Sequence, residues 1–381
     1  MSNKSKREYL RAIAARYVSA AAEEKTLILD EFCAVCGYNR KYAIRLLNAP
    51  VTPPRAGIRA GRPPRYHTRQ IRSVLQQLAI ASNMVCSKRL KAMIPLWLPH
   101  VPTALAPDTI ALLLQISPAT IDRVLAPWRH HHGKIGLATT KPGSLLRKHI
   151  PVKTEQWDES RPGFLEADTV AHCGTSMAGS FVYTVNLVDI ATGWSAFAAV
   201  WGKGQVAVHR ALQGIEKALP FAIRGFDCDN GSEFLNHHLF DYFSKRKRPV
   251  DYTRSRPYRK NDNAHIEQKN WSNIRQYFGY LRFDDPRILP LLNDLYSNEF
   301  SLLVNFFLPS FKLLHKHRDG PHIIKRHDPP KTPFERLCLT SALSKRRTRE
   351  LQRLRDSLNP FVLHQQIQRK VLTILTLASP S

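Results

Sequence analysis

GFLEADTVAHC, residues 163–173, is a short apolar run interrupted by two acids, Glu166 and Asp168. Its length and its Phe, Leu and Val content predict a strand. Two more strand-like runs follow, FVYTVNLVDI (181–190) and WSAFAAVW (194–201), set apart by the turn-rich spacers GTSMAG and ATG. Spacers that short join antiparallel neighbours. Further on, GQVAVHRALQGIEKAL (204–219) has helical periodicity and AIRGFDCDNG (222–231) reads as a fourth strand. EFLNHHLFDYFSKRK (233–247) is helical, VDYTRSRPYR (250–259) a fifth short strand, and NDNAHIEQKNWSNIRQYFGYL (261–281) a long helix. The order β-β-β-α-β-α-β-α predicts an α/β fold with a mixed five-stranded sheet and helices on its faces.

Three acids sit where that architecture can gather them. Asp168 lies mid-strand, Asp229 ends the fourth strand before Asn230-Gly231, and Glu267 lies in the first turns of the long helix. An acid inside a core-bound strand is costly unless it is paired or binds a metal. Converging carboxylates repel each other, and divalent cations resolve that repulsion. Oxygen-only ligands select hard ions, Mg²⁺ or Mn²⁺. Two such ions, about 4 Å apart, serve in-line phosphoryl transfer.

At these residues the chain resembles the catalytic core of the superfamily of retroviral integrases and bacterial insertion-sequence transposases. Asp168 matches the family's first-strand Asp. The run Asp229-Asn230-Gly231-Ser232-Glu233-Phe234 matches its second Asp in a DNG-S-x-F motif. Pro257-Tyr258 through Glu267 matches its Pro-Tyr run ending on the helical Glu. Thirty-seven residues separate Asp229 from Glu267, close to the family's usual spacing. Asn270 falls where the family often has Asn, and KTPFERL (331–337) resembles a segment common after such cores. The likeness covers roughly residues 160–340. It departs at Lys260 and Ala264, where the family commonly has Pro and Gly, and no His-His-Cys-Cys zinc module precedes the core. The resemblance implies an RNase H-like core in which Asp168, Asp229 and Glu267 hold two Mg²⁺ or Mn²⁺ ions. It implies DNA cleavage and strand transfer by a transposase, working on paired element ends as a homodimer or larger synaptic assembly.

Nearby acids are read differently. Asp227 and Glu166 lie two residues before Asp229 and Asp168 and could serve as ligands, but the motif match favours the later residue of each pair. Asp189 reads as the cap of a hairpin turn, and Glu233 as a first-turn acid of the following helix. Arg256, Arg259, Lys260, Lys269 and Arg275 surround the Glu267 helix and are expected to neutralise DNA phosphates. Lys245-Arg246-Lys247-Arg248 reads as a solvated or DNA-facing helix end.

Residues 1–50 read as helices. EKTLILDEFCAVCGYNRKYAIRLLN (24–48) breaks once, at Gly37-Tyr38-Asn39, as in a helix-turn-helix, with Arg40, Lys41 and Arg45 facing outward. The same pattern suits a plain helical hairpin. Cys33 and Cys36 form CxxC, but without further ligands they read as helix packing. Residues 51–66 form a basic Pro/Gly/Arg linker. Within it RAGRPPR resembles an AT-hook, whose Arg62 would enter a minor groove. Residues 67–132 are helical, and PDTIALLLQISPATIDRVLAPWR (107–129) predicts a second helix-turn-helix. There Ser117 is the N-cap, Ile121 and Leu125 face inward, and Thr120, Asp122 and Arg123 face outward. The following His130-His131-His132 diverge on a helix and cannot share one tetrahedral ion. Residues 133–160 read as a second linker, 161–318 as the core with 284–318 helical, and 319–381 as a basic region.

Composition agrees with a nucleic-acid partner. Fifty-seven Lys and Arg against thirty Asp and Glu leave +27 on 381 residues, with 43% apolar residues for a core. A charge that large repels itself unless something anionic binds, and double-stranded DNA is the expected partner. No apolar signal core opens the chain, no run of about 18 apolar residues occurs, and the six cysteines are scattered. A cytoplasmic, nucleoid-associated bacterial protein with no membrane partner is expected. Rival readings are a metal-dependent nuclease that only hydrolyses, a non-catalytic regulator derived from a transposase, and an RNA-binding protein. Under the transposase reading, Asp229→Asn abolishes cleavage and spares binding of element ends in a gel-shift assay. Retained cleavage would sink the assignment.

Overall fold

The computed structural model describes residues 1–49, 65–132, 161–228, 231, 233–254, 264–319 and 322–379. They form two compact units, Met1–Pro64 and Arg65–Ser381.

The first unit has three helices: α1 (Asn3–Ser19), α2 (Ala22–Cys36) and α3 (Arg40–Asn48). Gly37 ends α2 in the left-handed region at φ 65°, and Asn39 caps α3 by accepting the amides of Lys41 and Tyr42. Gly and Asn are the residues that take these two roles at low cost, so the break falls where the sequence places it. Ile13, Tyr17, Ile28, Leu29, Phe32, Cys36, Ala43 and Leu47 make the core. Cys36 is one of its buried members, and Cys33 packs beside it.

The second unit opens with α4 (Arg69–Ala81), α5 (Ser87–Trp97), α6 (Pro107–Gln115) and α7 (Pro118–His132). α6 and α7 bend by 106° about Ile116-Ser117, an angle usual for helix-turn-helix pairs. The Ser117 hydroxyl accepts the Thr120 amide at 3.2 Å as the predicted cap. Ile121 and Leu125 are buried. Among the described residues no single helix is long and apolar enough to cross a membrane.

The sheet follows. β1 (Phe164–Ala171), β2 (Val182–Asp189) and β3 (Ser195–Trp201) are antiparallel neighbours. After α8 (Gln205–Ala218), β4 (Gly225–Cys228) pairs parallel to β1. After α9 (His237–Ser244), β5 (Asp251–Arg254) pairs parallel to β4. The sheet order is β3-β2-β1-β4-β5. This is the predicted five-stranded mixed sheet of an RNase H-like core.

α10 (Ala264–Lys269) runs into a π-helical segment, Asn270–Arg275, and then α11 (Gln276–Phe278). The long helix expected there is therefore one continuous rod with a widened middle. α12 (Ile288–Leu295), a second π-helical segment (Tyr296–Phe300) and α13 (Ser301–Phe307) cover β3. A two-stranded hairpin follows, β6 (Leu313–Asp319) and β7 (His322–His327). Helix was expected through 318. The two segments pair antiparallel instead, from Leu313 with His327 to Asp319 with His322. α14 (Pro333–Cys338), α15 (Lys345–Ser357) and α16 (Pro360–Thr376) end the fold.

One hydrophobic core runs through this unit. It joins Leu75, Leu90 and Trp97 of α4 and α5 to Leu165, Phe226 and Tyr296 and to Leu363, Ile367 and Ile374 of α16. Boundaries after 132 and 318 thus do not separate compact units: Trp97 donates its indole N–H to the Phe307 carbonyl at 3.0 Å, and Arg89 donates to the Pro309 carbonyl at 2.6 Å. The last 40 residues, part of the region read as basic, include part of this core. Ile367 is fully buried, so Ile367→Ala should cost about 2–5 kcal/mol in urea unfolding. An unchanged midpoint would show that α16 does not carry the core.

Candidate active site

Asp168 sits in the middle of β1, half-buried, with Asn186 as its register partner on β2. Every residue of β2 is buried, and a buried amide must find partners. Asn186 Nδ2 donates to Asn270 Oδ1 at 2.7 Å, and Asn270 Nδ2 donates to Asp168 Oδ2 at 2.6 Å. Because Asn186 takes the carbonyl end of the Asn270 amide, the NH₂ end is held toward Asp168. Asp168 Oδ1 accepts the Thr169 amide at 2.7 Å. Three elements, β1, β2 and the helix containing Glu267, meet in this chain of bonds.

Asn270 opens the π-helical segment. Such turns widen the backbone ring and recur at functional sites. Glu267 lies three residues earlier, in α10. The start of α10 is held by Glu166, 2% exposed, whose carboxylate accepts the Ile266 amide at 3.0 Å. Glu166 therefore positions the helix, while Asp168, two residues further along the same face of β1, is the less buried of the two. Asp227, fully buried, is the register partner of Glu166 and accepts the Thr253 hydroxyl at 2.7 Å. The last β1–β4 pair is Ala167 with Cys228, and Asp168 follows immediately on β1.

Glu233 differs from its expected place in a first helical turn. α9 begins at His237 behind the Asn236 cap. Glu233 lies ahead of it, buried, accepting the Thr169 hydroxyl at 3.0 Å with the Lys203 ammonium at 3.9 Å. A Cβ at Gly231 would come within 2.7 Å of that carboxyl group, so the glycine of the DNG motif makes room for Glu233. Asp189 does cap its turn, accepting the Thr192 amide at 2.9 Å, the Thr192 hydroxyl at 2.6 Å and the Gly163 amide at 2.7 Å.

Of the acids singled out in the sequence, Asp168 is described in full and Glu267 by its place in α10. Asp229 lies outside the described residues, as do Arg62, Arg256, Arg259 and Lys260. Among the described residues no three His, Cys, Asp or Glu side chains gather as a metal site. The donors that are present at Asp168 are oxygens flanked by amides, a chemistry that suits a hard divalent ion and not zinc.

The expected phosphate contacts divide. Arg40, Lys41 and Arg45 are exposed on α3, with Arg40 paired to Asp30. Arg123 is exposed on α7 and bonds within its own helix to the Ala119 carbonyl and the Thr120 hydroxyl. Asp122, expected to face outward, is exposed and pairs with Arg129 at 2.9 Å. Arg275 turns to backbone carbonyls, donating to Ala171 at 2.9 Å and Gly279 at 3.2 Å, so its guanidinium ties the helix to the end of β1. Lys269 lies in a pocket with Arg89 and Arg336, where burial first and those two charges second push its pKa down to about 7. Within the basic run 245–248, Arg246 grips Glu216 at 2.7 and 2.8 Å over the Tyr242 ring.

Sequence reasoning assigned no role to Asn186. Its signal is a lone amide inside the otherwise apolar FVYTVNLVDI run, which must be bonded once buried. His172, in a separate chain with Thr184 and Tyr296, bonds the Thr184 hydroxyl at 2.8 Å, stacks on Phe283 and is wholly buried.

Two measurements follow from this geometry. Asn270→Ala removes the donor to Asp168 and the acceptor of the Asn186 amide, and should cost about 1–3 kcal/mol in urea unfolding. Asn270→Asp, which sets a second carboxylate against Asp168, should cost more. Equal stability of all three proteins would mean the Asn186–Asn270–Asp168 chain does not hold the helix. Burial, with Arg275 nearby, pushes the His172 pKa down to about 3 from an ordinary 6.5. The folded state then binds fewer protons than the unfolded one between those values. Stability is full above the higher value and falls as pH drops toward the lower. His172→Leu should flatten that acid limb in melting curves, and parallel curves would refute the burial argument.

No family model matches the chain. It is 39% identical over 347 residues to the uncharacterized protein y4rM of Sinorhizobium fredii (strain NBRC 101917 / NGR234), covering 88% of this chain and 96% of that one. Three solved structures overlap it loosely. The catalytic core domain of HTLV-2 integrase in complex with magnesium covers 39% of this chain and 90% of its own, at 13% identity and a TM-score of 0.29. The BIV integrase core covers 45% and 91%, at 12% identity and 0.28. A simian T-cell lymphotropic virus intasome in complex with PP2A regulatory subunit B56 gamma covers 53% and 65%, at 13% identity and 0.30. Overlaps of that size carry no weight beyond what the sheet order already states. The near-full-length match to y4rM does carry weight, and on it the chain belongs to the same family as that protein.

Proposed function

We propose that this chain is a DDE-type transposase that binds the ends of a mobile element and catalyses DNA cleavage and strand transfer. The observation that carries the reading is the Asn270 amide, bonded at 2.6 Å to Asp168 on the first strand and set three residues after Glu267 on the facing helix. A surface acid needs no such support. An acid that must keep one orientation while binding cations does.

In this reading Asp168, Asp229 and Glu267 would hold two Mg²⁺ or Mn²⁺ ions, and the ions would supply Lewis-acid activation of the attacking and leaving oxygens. The protein's own share is positioning. Asn186 orients the Asn270 amide, Asn270 fixes one Asp168 oxygen, Thr169 fixes the other, and Glu166 sets the start of the helix that bears Glu267. No serine or tyrosine nucleophile is required, so no covalent protein–DNA intermediate forms. The exposed Arg40, Lys41 and Arg45 of α3 suit contact with element-end DNA, supported by the chain's charge of +27. Action on paired ends calls for a homodimer or larger synaptic assembly in the bacterial cytoplasm.

The deciding measurement mixes the full chain, a labelled duplex carrying the flanking element end and a supercoiled target plasmid, with Mg²⁺ or Mn²⁺ or with chelator. Joined product is expected, dependent on metal and lost in Glu267→Gln. Cutting without joining would assign a hydrolytic nuclease. End binding with neither would assign a regulator.

A further inference from the structure

Next to the helix that carries Asn270 lies a pocket that Asp168 does not line. Four cationic side chains from separate segments reach its wall: Lys269 of α10, Arg89 of α5, Arg336 of α14, and Lys312 after Ser310-Phe311. Among the described residues the single acid in the wall, Asp189, is buried and accepts three hydrogen bonds, two from Thr192 and one from the Gly163 amide. Arg336 pairs with Asp328 and donates to the Ser310 carbonyl at 2.8 Å. Arg89 donates its Nε–H to the Pro309 carbonyl, and among the described residues neither Arg89 nor Lys269 belongs to an ion pair.

Cations gathered in a recess repel one another, and the repulsion grows where the wall excludes water. Arg336 has the Asp328 carboxylate, but among the described residues Arg89 and Lys269 enter no ion pair while their side chains converge on the same recess. A planar guanidinium beside an ammonium is a strong donor set for tetrahedral oxyanions. Ser310 and Gln268, also in the wall, add neutral donors.

We propose that this pocket is a binding site for a phosphate group, separate from the Asp168 site, with Lys269 and Arg89 as its principal ligands. The proposal is independent of strand transfer, since a chain that never joins DNA can still bind phosphate here. The phosphate can belong to a DNA backbone or to a free ion, and the two sources leave different traces.

The test uses the full chain in two assays. Thermal melting compares inorganic phosphate with chloride at matched ionic strength. Fluorescence anisotropy follows a short labelled duplex across a salt series. Phosphate is expected to raise the melting temperature of the wild type beyond chloride. Lys269→Met should abolish that response without lowering the melting temperature in chloride, because it removes like-charge repulsion. Lys269→Arg, which keeps the charge, should retain it, and Arg89→Met should reproduce the Met result. A DNA source shows as several-fold weaker duplex binding in Lys269→Met, with the log–log salt slope shallower by about one phosphate contact. A free-ion source shows as an unchanged duplex titration with the phosphate response lost. Equal melting in phosphate and chloride, together with unchanged duplex affinity and slope in Lys269→Met, overturns the proposal.

Discussion

The Asn186–Asn270–Asp168 chain of hydrogen bonds is the constraint around which the second unit is arranged. A buried polar group left without a partner costs about 1–3 kcal/mol, and here the Asn186 NH₂ group, the Asn270 amide and the Asp168 carboxylate are bonded in series across β2, the π-helical segment and β1. Because bonds of this kind tolerate little displacement, they fix where the helix crosses the sheet. Glu166 at the Ile266 amide and Arg275 at the Ala171 carbonyl fix its two ends. The π-helical start at Asn270 is where the helical rod accommodates those fixed points.

The core beneath the site is shared more widely than a catalytic domain alone would need. α4 to α7 and α16 contribute buried side chains to the same cluster as the sheet. The helices that resemble a DNA-reading module are therefore structurally continuous with the strand that carries Asp168. Trp97 and Arg89 bond directly to the carbonyls of Phe307 and Pro309. A change of position in these helices would be felt in the packing of α13, whose residues cover β3.

The basic residues also sort into distinct physical roles. Some cations are spent internally: Arg275 on carbonyls, Arg246 on Glu216, Arg282 on the loop carbonyls of Cys173, Ser176 and Ala178. Others, on α3, remain exposed. Net charge therefore overstates the number of groups available to an anionic partner, and the site of each guanidinium matters more than the total.

Much of the architecture could be read from the chain. Alternation and turn spacers in residues 163–201 determine three antiparallel strands, because period-two patterning and short loops leave few other pairings. Gly37, Asn39 and Ser117 determine helix boundaries through backbone preferences that act locally. The acids Asp168 and Glu267 stand out because a carboxylate in such a context is costly without a purpose. Tertiary structure alone decided the rest. Which of Glu166 and Asp168, on the same face of β1, is covered by the helix depends on where α10 starts. Arg275 and Lys269, identical to surface cations in sequence terms, turn inward because the helix that bears them is packed on β1 and β2. Glu233 bonds Thr169 rather than capping α9, since helix onset is set by Asn236. The burial of α16 depends on packing against α4, α12 and α13, elements far from it in sequence, which no local pattern encodes.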